Sequence, residues 1–270
     1  MITRIAAVML LTGSLALADE TAESGRRVLA KHQDAVVTVK LVVSYSMTFG
    51  ARDQQSESKT EAVGTIIDPA GLTVISLTAI DPSAMMKARM RSQTTELKID
   101  SQVKDAKITL ADGTEIPAEV VLRDKDLDLA YVLPTEKPAK PLPALDLAHA
   151  AKPQVLDEVI CLNRLGKVAN RVAAVSVERV DALVDRPRPF YVLAAGGSSG
   201  IGSPVFTVSG VPIGIILIRN APAESEANIA SIFSGTGGLG FMPVVVPAAD
   251  ILEDSKQALE AKKPAAVEKK

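Results

Sequence analysis

The part of this chain best suited to chemistry is a glycine-rich segment at residues 196–202, GGSSGIG. Glycines at this density let the backbone turn its N–H groups toward one point, where they can bind a carbonyl or carboxylate oxygen. The same composition is also typical of a tight connection between two strands. The segment therefore indicates either an anion-binding loop or a simple turn, and both interpretations stay open.

Other reactive side chains are scarce. The only cysteine, Cys161, lies in the apolar run 158–162, which indicates a buried thiol rather than a nucleophile. A single cysteine also excludes an intramolecular disulfide. One cysteine and two histidines, His32 and His149, do not supply a zinc or haem motif, so we predict no metal and no cofactor.

Residues 1–18 have the pattern of a secretory signal peptide. Arg4 gives a positive start, residues 5–17 are apolar, and Ala16-Leu17-Ala18 offers small residues before Asp19. We therefore expect the mature protein to be periplasmic or secreted. Loss of Arg4 with the signal changes the net charge from −2 to −3. This balance indicates neither nucleic-acid binding nor membrane insertion after cleavage.

The rest of the chain predicts an all-β fold. Asp68-Pro69-Ala70-Gly71 and Ala111-Asp112-Gly113-Thr114 are turn sequences between β-branched runs and predict two hairpins. The polar residues 49–59 predict an exposed loop. Helices are predicted over 20–33 and 247–260, and residues 85–91 predict either a short helix or an adaptable contact surface. Short strands at regular spacing indicate a barrel or a sandwich. The predicted strands are 35–46, 61–67, 72–77, 107–110, 115–122, 128–133, 159–162, 168–177, 190–193, 204–208, 212–218 and 239–244.

Four segments, in this order, resemble the protease domain of the HtrA branch of trypsin-like serine proteases. Residues 62–80, AVGTIIDPAGLTVISLTAI, and 119–133, EVVLRDKDLDLAYVL, resemble its first barrel. Residues 196–215, GGSSGIGSPVFTVSGVPIGI, and 238–244, GLGFMPV, resemble its second. The resemblance implies a chymotrypsin-like fold of two six-stranded antiparallel β-barrels with short N- and C-terminal helices.

The resemblance also implies the domain boundaries. A protease-fold domain at 19–250 would follow the signal peptide, and a C-terminal helix with a lysine-rich tail would occupy 251–270. Within the domain, the resemblance places barrel one at about 35–135, a linker at 136–153 and barrel two at about 154–246.

Two of the three positions that the resemblance assigns to a catalytic triad carry other residues. The histidine position is Thr78, whose hydroxyl has no pKa near neutrality and cannot act as a general base. The aspartate position, Asp128, is retained, and without an imidazole to orient we expect it to accept a hydrogen bond from Thr78 Oγ1. A turn or helix cap is the alternative role for Asp128. The nucleophile position is Ile201.

A two-residue insertion would change the last assignment. Gly197-Ser198-Ser199-Gly200 would then match the family's nucleophile motif, and Ser199 would be the nucleophile. The ungapped alignment is preferable because residues 204–215 then match the family strand by strand. Ser199 would still need a base, and His32 precedes the first strand whereas His149 lies in the linker. No lysine is close to the loop in sequence.

The resemblance and these replacements together predict an HtrA-like pseudoprotease, not an enzyme, that binds a peptide or protein through its degenerate substrate cleft. A homo-oligomer is common in the family. The segment 219–237 borders the predicted cleft, and it either covers or reshapes the cleft or is a mobile surface loop. The candidate cleft residues are Gly197, Ser198, Gly200, Gly240 and Phe241.

Two alternatives stay open. The first is an active serine endopeptidase that uses Ser199 and Asp128 with an unrecognised base. The second is a structural or assembly protein of the cell envelope, in which residues 85–91, MMKARMR, or the lysine-rich tail make the contacts.

Overall fold

The structure, a computed structural model, describes residues 20–49, 52–84, 86, 97–194, 200–220 and 241–261. These residues form two closed antiparallel β-barrels of six strands each, with a helix at either end. The predicted fold class is therefore confirmed. Within these ranges, no helix combines the length and the apolar character needed to cross a bilayer. The predicted signal peptide lies outside the described residues.

Barrel one follows helix α1, residues 20–32, and a 3₁₀ helix, Gln33–Ala35. Its strands pair in the order β1-β2-β3-β6-β5-β4. A second 3₁₀ helix, Leu77–Ala79, follows β3. The strands are β1 Val36–Phe49, β2 Arg52–Ile66, β3 Thr73–Ser76, β4 Leu97–Thr109, β5 Glu115–Asp124 and β6 Leu129–Pro134.

Barrel two has the strand order β10-β11-β12-β9-β8-β7 and is followed directly by helix α2, Ala248–Glu260. A 3₁₀ helix, Lys167–Ala169, lies between β7 and β8. The strands are β7 Glu158–Arg164, β8 Ala173–Val184, β9 Phe190–Leu193, β10 Pro204–Thr207, β11 Pro212–Asn220 and β12 Phe241–Pro247.

Strand β6 shows how the two barrels share one core. All of its residues are buried. Ala130 and Val132 face the interior of barrel one, whereas Leu129, Tyr131 and Leu133 belong to a cluster formed with barrel two. Side chains alternate between the two faces of a strand, so a strand buried on both faces must be apolar throughout. The run LAYVL meets this requirement.

Strand β7 repeats the arrangement on the opposite side of the interface. Ile160 and Leu162 join the cluster between the barrels, and Val159 and Cys161 face the interior of barrel two. The thiol of Cys161 is fully buried, as predicted from its apolar neighbours. Its place in the barrel interior is that of a small apolar side chain.

Helix α2 is part of this shared core. Ile251 is fully buried, and its carbonyl oxygen accepts a hydrogen bond of 2.8 Å from the hydroxyl of Tyr131. Burial raises the pKa of Tyr131, which keeps this donor protonated. The predicted boundary at residue 250 thus falls inside a helix that begins at Ala248.

The prediction of an exposed loop at 49–59 is wrong, because residues 52–59 belong to β2. This strand pairs with β1 from Val36–Thr65 to Phe49–Arg52. Residues 54–59 are all exposed, so no apolar alternation marks them as a strand. Backbone pairing with the long β1 forms the strand, and side-chain pattern cannot report that.

The prediction of a strand over 168–177 is also wrong in its first part. Val168 lies in the 3₁₀ helix and is fully exposed, so no core contact holds it in a strand. Asn170 and Arg171 then adopt left-handed backbone angles, with φ of 51° and 55°. Strand β8 begins only at Ala173.

Candidate functional site

Asp128 ends a tight turn between β5 and β6. Asp124 Oδ1 accepts hydrogen bonds from the N–H groups of Asp126, at 2.7 Å, and Leu127, at 2.9 Å, which fixes the turn. Asp128 itself has a left-handed φ of 57°, a conformation that aspartate tolerates at a cost of about 1–2 kcal/mol. Only 3% of Asp128 is exposed, so the turn delivers its carboxylate into the interior.

The carboxylate of Asp128 accepts four hydrogen bonds. Oδ1 receives the N–H of Thr78 at 3.0 Å and its hydroxyl at 2.7 Å, so the predicted contact with Thr78 is present. Oδ2 receives the Ser76 hydroxyl at 2.5 Å and the N–H of Ile218 at 3.0 Å. These four donors leave the two oxygens fully occupied.

The partners of Asp128 come from both barrels. Ser76 and Thr78 follow one another around the end of β3, in barrel one, whereas Ile218 belongs to β11, in barrel two. The backbone carbonyl of Asp128 also accepts the N–H of Leu77 at 2.8 Å. The side chain therefore joins the two barrels at their interface.

Burial raises the pKa of Asp128, and the hydrogen bonds from Ser76, Thr78 and Ile218 act in the opposite direction. Among the described residues, none of its hydrogen-bond partners is a cation. The buried carboxylate is therefore satisfied by neutral donors alone, which is sufficient to offset much of the cost of its burial.

Neither histidine contacts the carboxylate of Asp128 beside Thr78, the predicted histidine position. His32, the last residue of α1, stacks on Phe206 with ring centroids 5.0 Å apart. His149 is exposed and lies 3.4 Å from Asp146 Oδ2. Both histidines of the chain therefore have contacts of their own, and neither contacts Asp128.

Ile201 lies in a turn between two glycines with positive φ, Gly200 at 111° and Gly202 at 94°. Its side chain is 36% exposed and carries no nucleophilic atom. Ser203, two residues later, is fully buried, and its hydroxyl donates to Asn163 Oδ1 at 3.0 Å. The turn thus presents an aliphatic group to the surface and hides its hydroxyl.

Strand β11 brings these positions together. The carbonyl of Ile216 accepts the N–H of Gly202 at 2.7 Å, and the N–H of Ile218 donates to Asp128. Residues two apart in a strand direct their backbone groups to the same edge and lie about 7 Å from one another. The turn that carries Ile201 and the Asp128–Thr78 pair therefore meet along one edge of β11.

Gly202 also forms a close contact between the barrels. Its carbonyl accepts a hydrogen bond of 2.8 Å from the buried hydroxyl of Thr65. A Cβ at position 202 would lie 2.1 Å from the carbonyl oxygen of Val63, a distance too short for any side chain at this position. The glycine is required here by contact as well as by its backbone angle.

Several predicted site residues cannot be placed. Gly197, Ser198, Ser199 and Gly240 lie outside the described residues, so the use of Ser199 as a nucleophile stays a prediction. The same holds for residues 85–91 apart from Met86, and for 219–237 apart from its first two residues. Of the remaining candidates, Gly200 lies beside Asn163, and Phe241 begins β12 opposite Asn220.

Three contributors to the site were not predicted. The spacing of Ser76 indicated its role, because it precedes Thr78 by two residues and its side chain can point to the same side of the chain as that of Thr78. Ile218 acts through its backbone N–H, which no residue type reveals. Arg219 donates to the carbonyl of Asp126 and lies over the ring of Phe190, 5.6 Å from its centroid. Nothing in the sequence around Arg219 indicated this contact.

Two closed six-stranded barrels, with Thr78, Asp128 and the turn that carries Ile201 at their interface, define a protein of the trypsin-like peptidase class. Residues 28–215 match the family described as trypsin-like peptidase domain. The match includes positions 78, 128 and 201 and covers most of the chain, so the chain belongs to this family. No curated protein matches the sequence significantly. In the described part of the chain, no three histidine, cysteine, aspartate or glutamate side chains are grouped to hold a metal.

Proposed function

We propose that this protein is an HtrA-like, non-catalytic member of the family that binds a peptide or protein segment in the cleft of a protease fold. The observation that carries the proposal is the contact between Thr78 Oγ1 and Asp128 Oδ1, at 2.7 Å. A threonine hydroxyl fills the place next to the carboxylate where a serine protease needs an imidazole.

The chemistry of the two replaced positions supports this proposal. Thr78 carries no group that takes up a proton near neutral pH, so it supplies no general base. Ile201 supplies no nucleophile. Asp128 would ordinarily orient a histidine N–H, but its four lone-pair directions are occupied by Ser76, Thr78 and Ile218. Its role in this proposal is to hold the two barrels together.

The free edge of β11 supports the binding part of the proposal. On one side, β11 pairs with β12 as far as Asn220–Phe241. On the other, the ladder with β10 and its preceding turn ends at Ile216, and beyond it β11 forms no backbone pairs with another described strand. An extended segment of a partner can add to such an edge through main-chain hydrogen bonds.

We also propose that the protein acts in the periplasm or outside the cell. The support is the signal-peptide pattern of residues 1–18, with its positive start, apolar run and small residues before Asp19.

The test is a titration of the mature protein with fluorescein-labelled, unfolded casein. We expect a saturable rise in fluorescence anisotropy and casein of unchanged length by mass spectrometry after prolonged incubation. Ile201→Asp places a charge in the cleft and should weaken binding about fivefold or more. Val168→Asp makes the same type of change at an apolar, fully exposed residue of the 3₁₀ helix after β7, and should leave binding unchanged.

Two results would contradict the proposal. Shortened casein would show that the protein is catalytic. Absence of binding, or an equal effect of the two substitutions, would show that the cleft does not bind unfolded segments.

A further inference from the structure

A cavity of about 370 Å³ opens where helix α2 meets the turns of both barrels. Barrel one contributes the turn after β5, barrel two contributes the turn before β9, and α2 contributes one face. The lining residues are Asp124, Leu127, Arg188, Pro189, Asp250, Glu253, Asp254 and Gln257. Four carboxyl groups thus surround one cavity.

The helix supplies three of these carboxyl groups from one face. Residues 250, 253, 254 and 257 have the i, i+3, i+4, i+7 spacing that places side chains together on a helix. The guanidinium of Arg188 lines the same cavity, and the charge of Arg219 reaches Asp250 from the neighbouring strand. These two cations do not balance the four acids.

Two carboxylate oxygens of the cavity are buried without a hydrogen bond. They are Asp250 Oδ2 and Asp254 Oδ2. Asp254 is only 9% exposed, so its side chain is more than nine-tenths buried while it lines the cavity. A buried acceptor with no donor is costly and rare in a folded protein. The two oxygens indicate that the cavity receives donors from another molecule.

The pKa values of Asp250 and Asp254 agree with this interpretation. Burial raises both pKa values. The hydroxyl of Tyr131 lowers the pKa of Asp254 through a hydrogen bond, and Arg188 lowers both pKa values by a smaller effect. Nearby acids, Glu253 for both residues and Asp124 for Asp254, add to the rise. A bound cation would stabilise the ionised carboxylates that burial alone disfavours.

The shape of the cavity favours an organic cation over a metal ion. The described acidic side chains do not converge as three ligands around one point. Leu127 and Pro189 provide apolar wall beside the carboxylates. A long cationic side chain lays its methylene stem along apolar surface and directs its charged end to acceptors. Guanidinium, with five donors in one plane, pairs with two carboxylates better than an ammonium group does.

We propose that this cavity binds the guanidinium group of an arginine side chain from a partner polypeptide. Asp250 and Asp254 accept its hydrogen bonds, and Arg188 limits the affinity by repulsion. Arg219, which contacts the turn of Asp126, lies next to Ile218 on β11, so a partner anchored here can continue toward the cleft. Only this continuation rests on the proposed function of the cleft; the binding of guanidinium does not.

The test is a nuclear magnetic resonance titration of the ¹⁵N-labelled mature protein with N-acetyl-arginine-N-methylamide. The matched probe is the citrulline analogue, which has nearly the same shape without the charge. We expect saturable chemical-shift changes of the amides around Arg188 and along α2. The citrulline probe should bind at least about tenfold more weakly than the arginine probe.

Three variants test which groups are responsible. Asp250→Asn and Asp254→Asn should each weaken arginine binding about tenfold, whereas Arg188→Gln should strengthen it severalfold. Asp112→Asn, in the exposed turn between β4 and β5, is the control and should change nothing. Asp250 is the less buried of the two aspartates, so its variant keeps the test valid if Asp254→Asn fails to fold.

Equal binding of the two probes, shifts confined to other surfaces, or no response to Asp250→Asn would overturn this proposal. The outcome of this titration can be distinguished from that of the casein titration. Arginine binding without casein binding would support the proposal for the cavity and contradict the proposal for the cleft. Casein binding without arginine binding would support the proposal for the cleft and contradict the proposal for the cavity.

Discussion

Replacing Asp128 by alanine is expected to lower the free energy of unfolding by about 3–5 kcal/mol. The substitution removes an acceptor from four donors. The hydroxyls of Ser76 and Thr78 can turn to other acceptors, but the N–H groups of Thr78 and Ile218 cannot. Each buried, unpaired donor costs about 1–3 kcal/mol. The measurement is denaturant unfolding of the purified variant.

Two comparisons sharpen this prediction. Asp126→Ala changes an exposed aspartate of the same turn and should alter stability by less than about 0.5 kcal/mol. Thr78→Val removes one hydroxyl and leaves the backbone N–H bond to Oδ1, so its cost should be about 1 kcal/mol. A loss below about 1 kcal/mol for Asp128→Ala would show that the carboxylate does not hold the barrels together.

The second large effect is expected for Gly202→Ala, which should cost more than about 4 kcal/mol or prevent folding. The new Cβ would lie 2.1 Å from the carbonyl oxygen of Val63, a backbone atom that cannot rotate away. Either the turn before β10 or strand β2 must then move, and the contact between the two barrels is lost. The measurement is again the free energy of unfolding.

Gly113→Ala is the matched control for this clash. Gly113 has a similar positive φ, 86° against 94°, but a Cβ there would meet nothing within 4 Å. Its variant should therefore show only the backbone cost, about 1–2 kcal/mol. If the two variants lost equal stability, the close approach of Gly202 to β2 would not be a determinant of the fold.

The fold was predictable from the sequence because the barrel strands are marked by their own residues. The run LAYVL of β6 is apolar on both faces, and the turns at Asp68-Pro69-Ala70-Gly71 and Ala111-Asp112-Gly113-Thr114 separate strands as predicted. Where pairing alone forms a strand, as in residues 52–59 of β2, the side chains carry no such mark. The exposed Val168 shows the converse error, since a β-branched residue without core contacts does not form a strand.

The site was predictable in part. The contact of Thr78 with Asp128 followed from the need of a buried carboxylate for a donor. The N–H of Ile218 could not be foreseen, because a backbone donor has no signature and its position depends on how the barrels pack. The acidic face of α2 did have a signature in its spacing, but only the structure places Asp124 and Arg188 opposite it.

The central claim, that the protease fold is retained without its chemistry, is tested most directly by fluorophosphonate labelling of the mature protein, with intact mass as the readout. We predict no adduct under conditions that label trypsin completely, because Ile201 has no nucleophilic atom and Thr78 no basic one. A stoichiometric adduct on Ser199, absent from the Ser199→Ala variant, would contradict the account and establish an active serine enzyme with a base other than histidine.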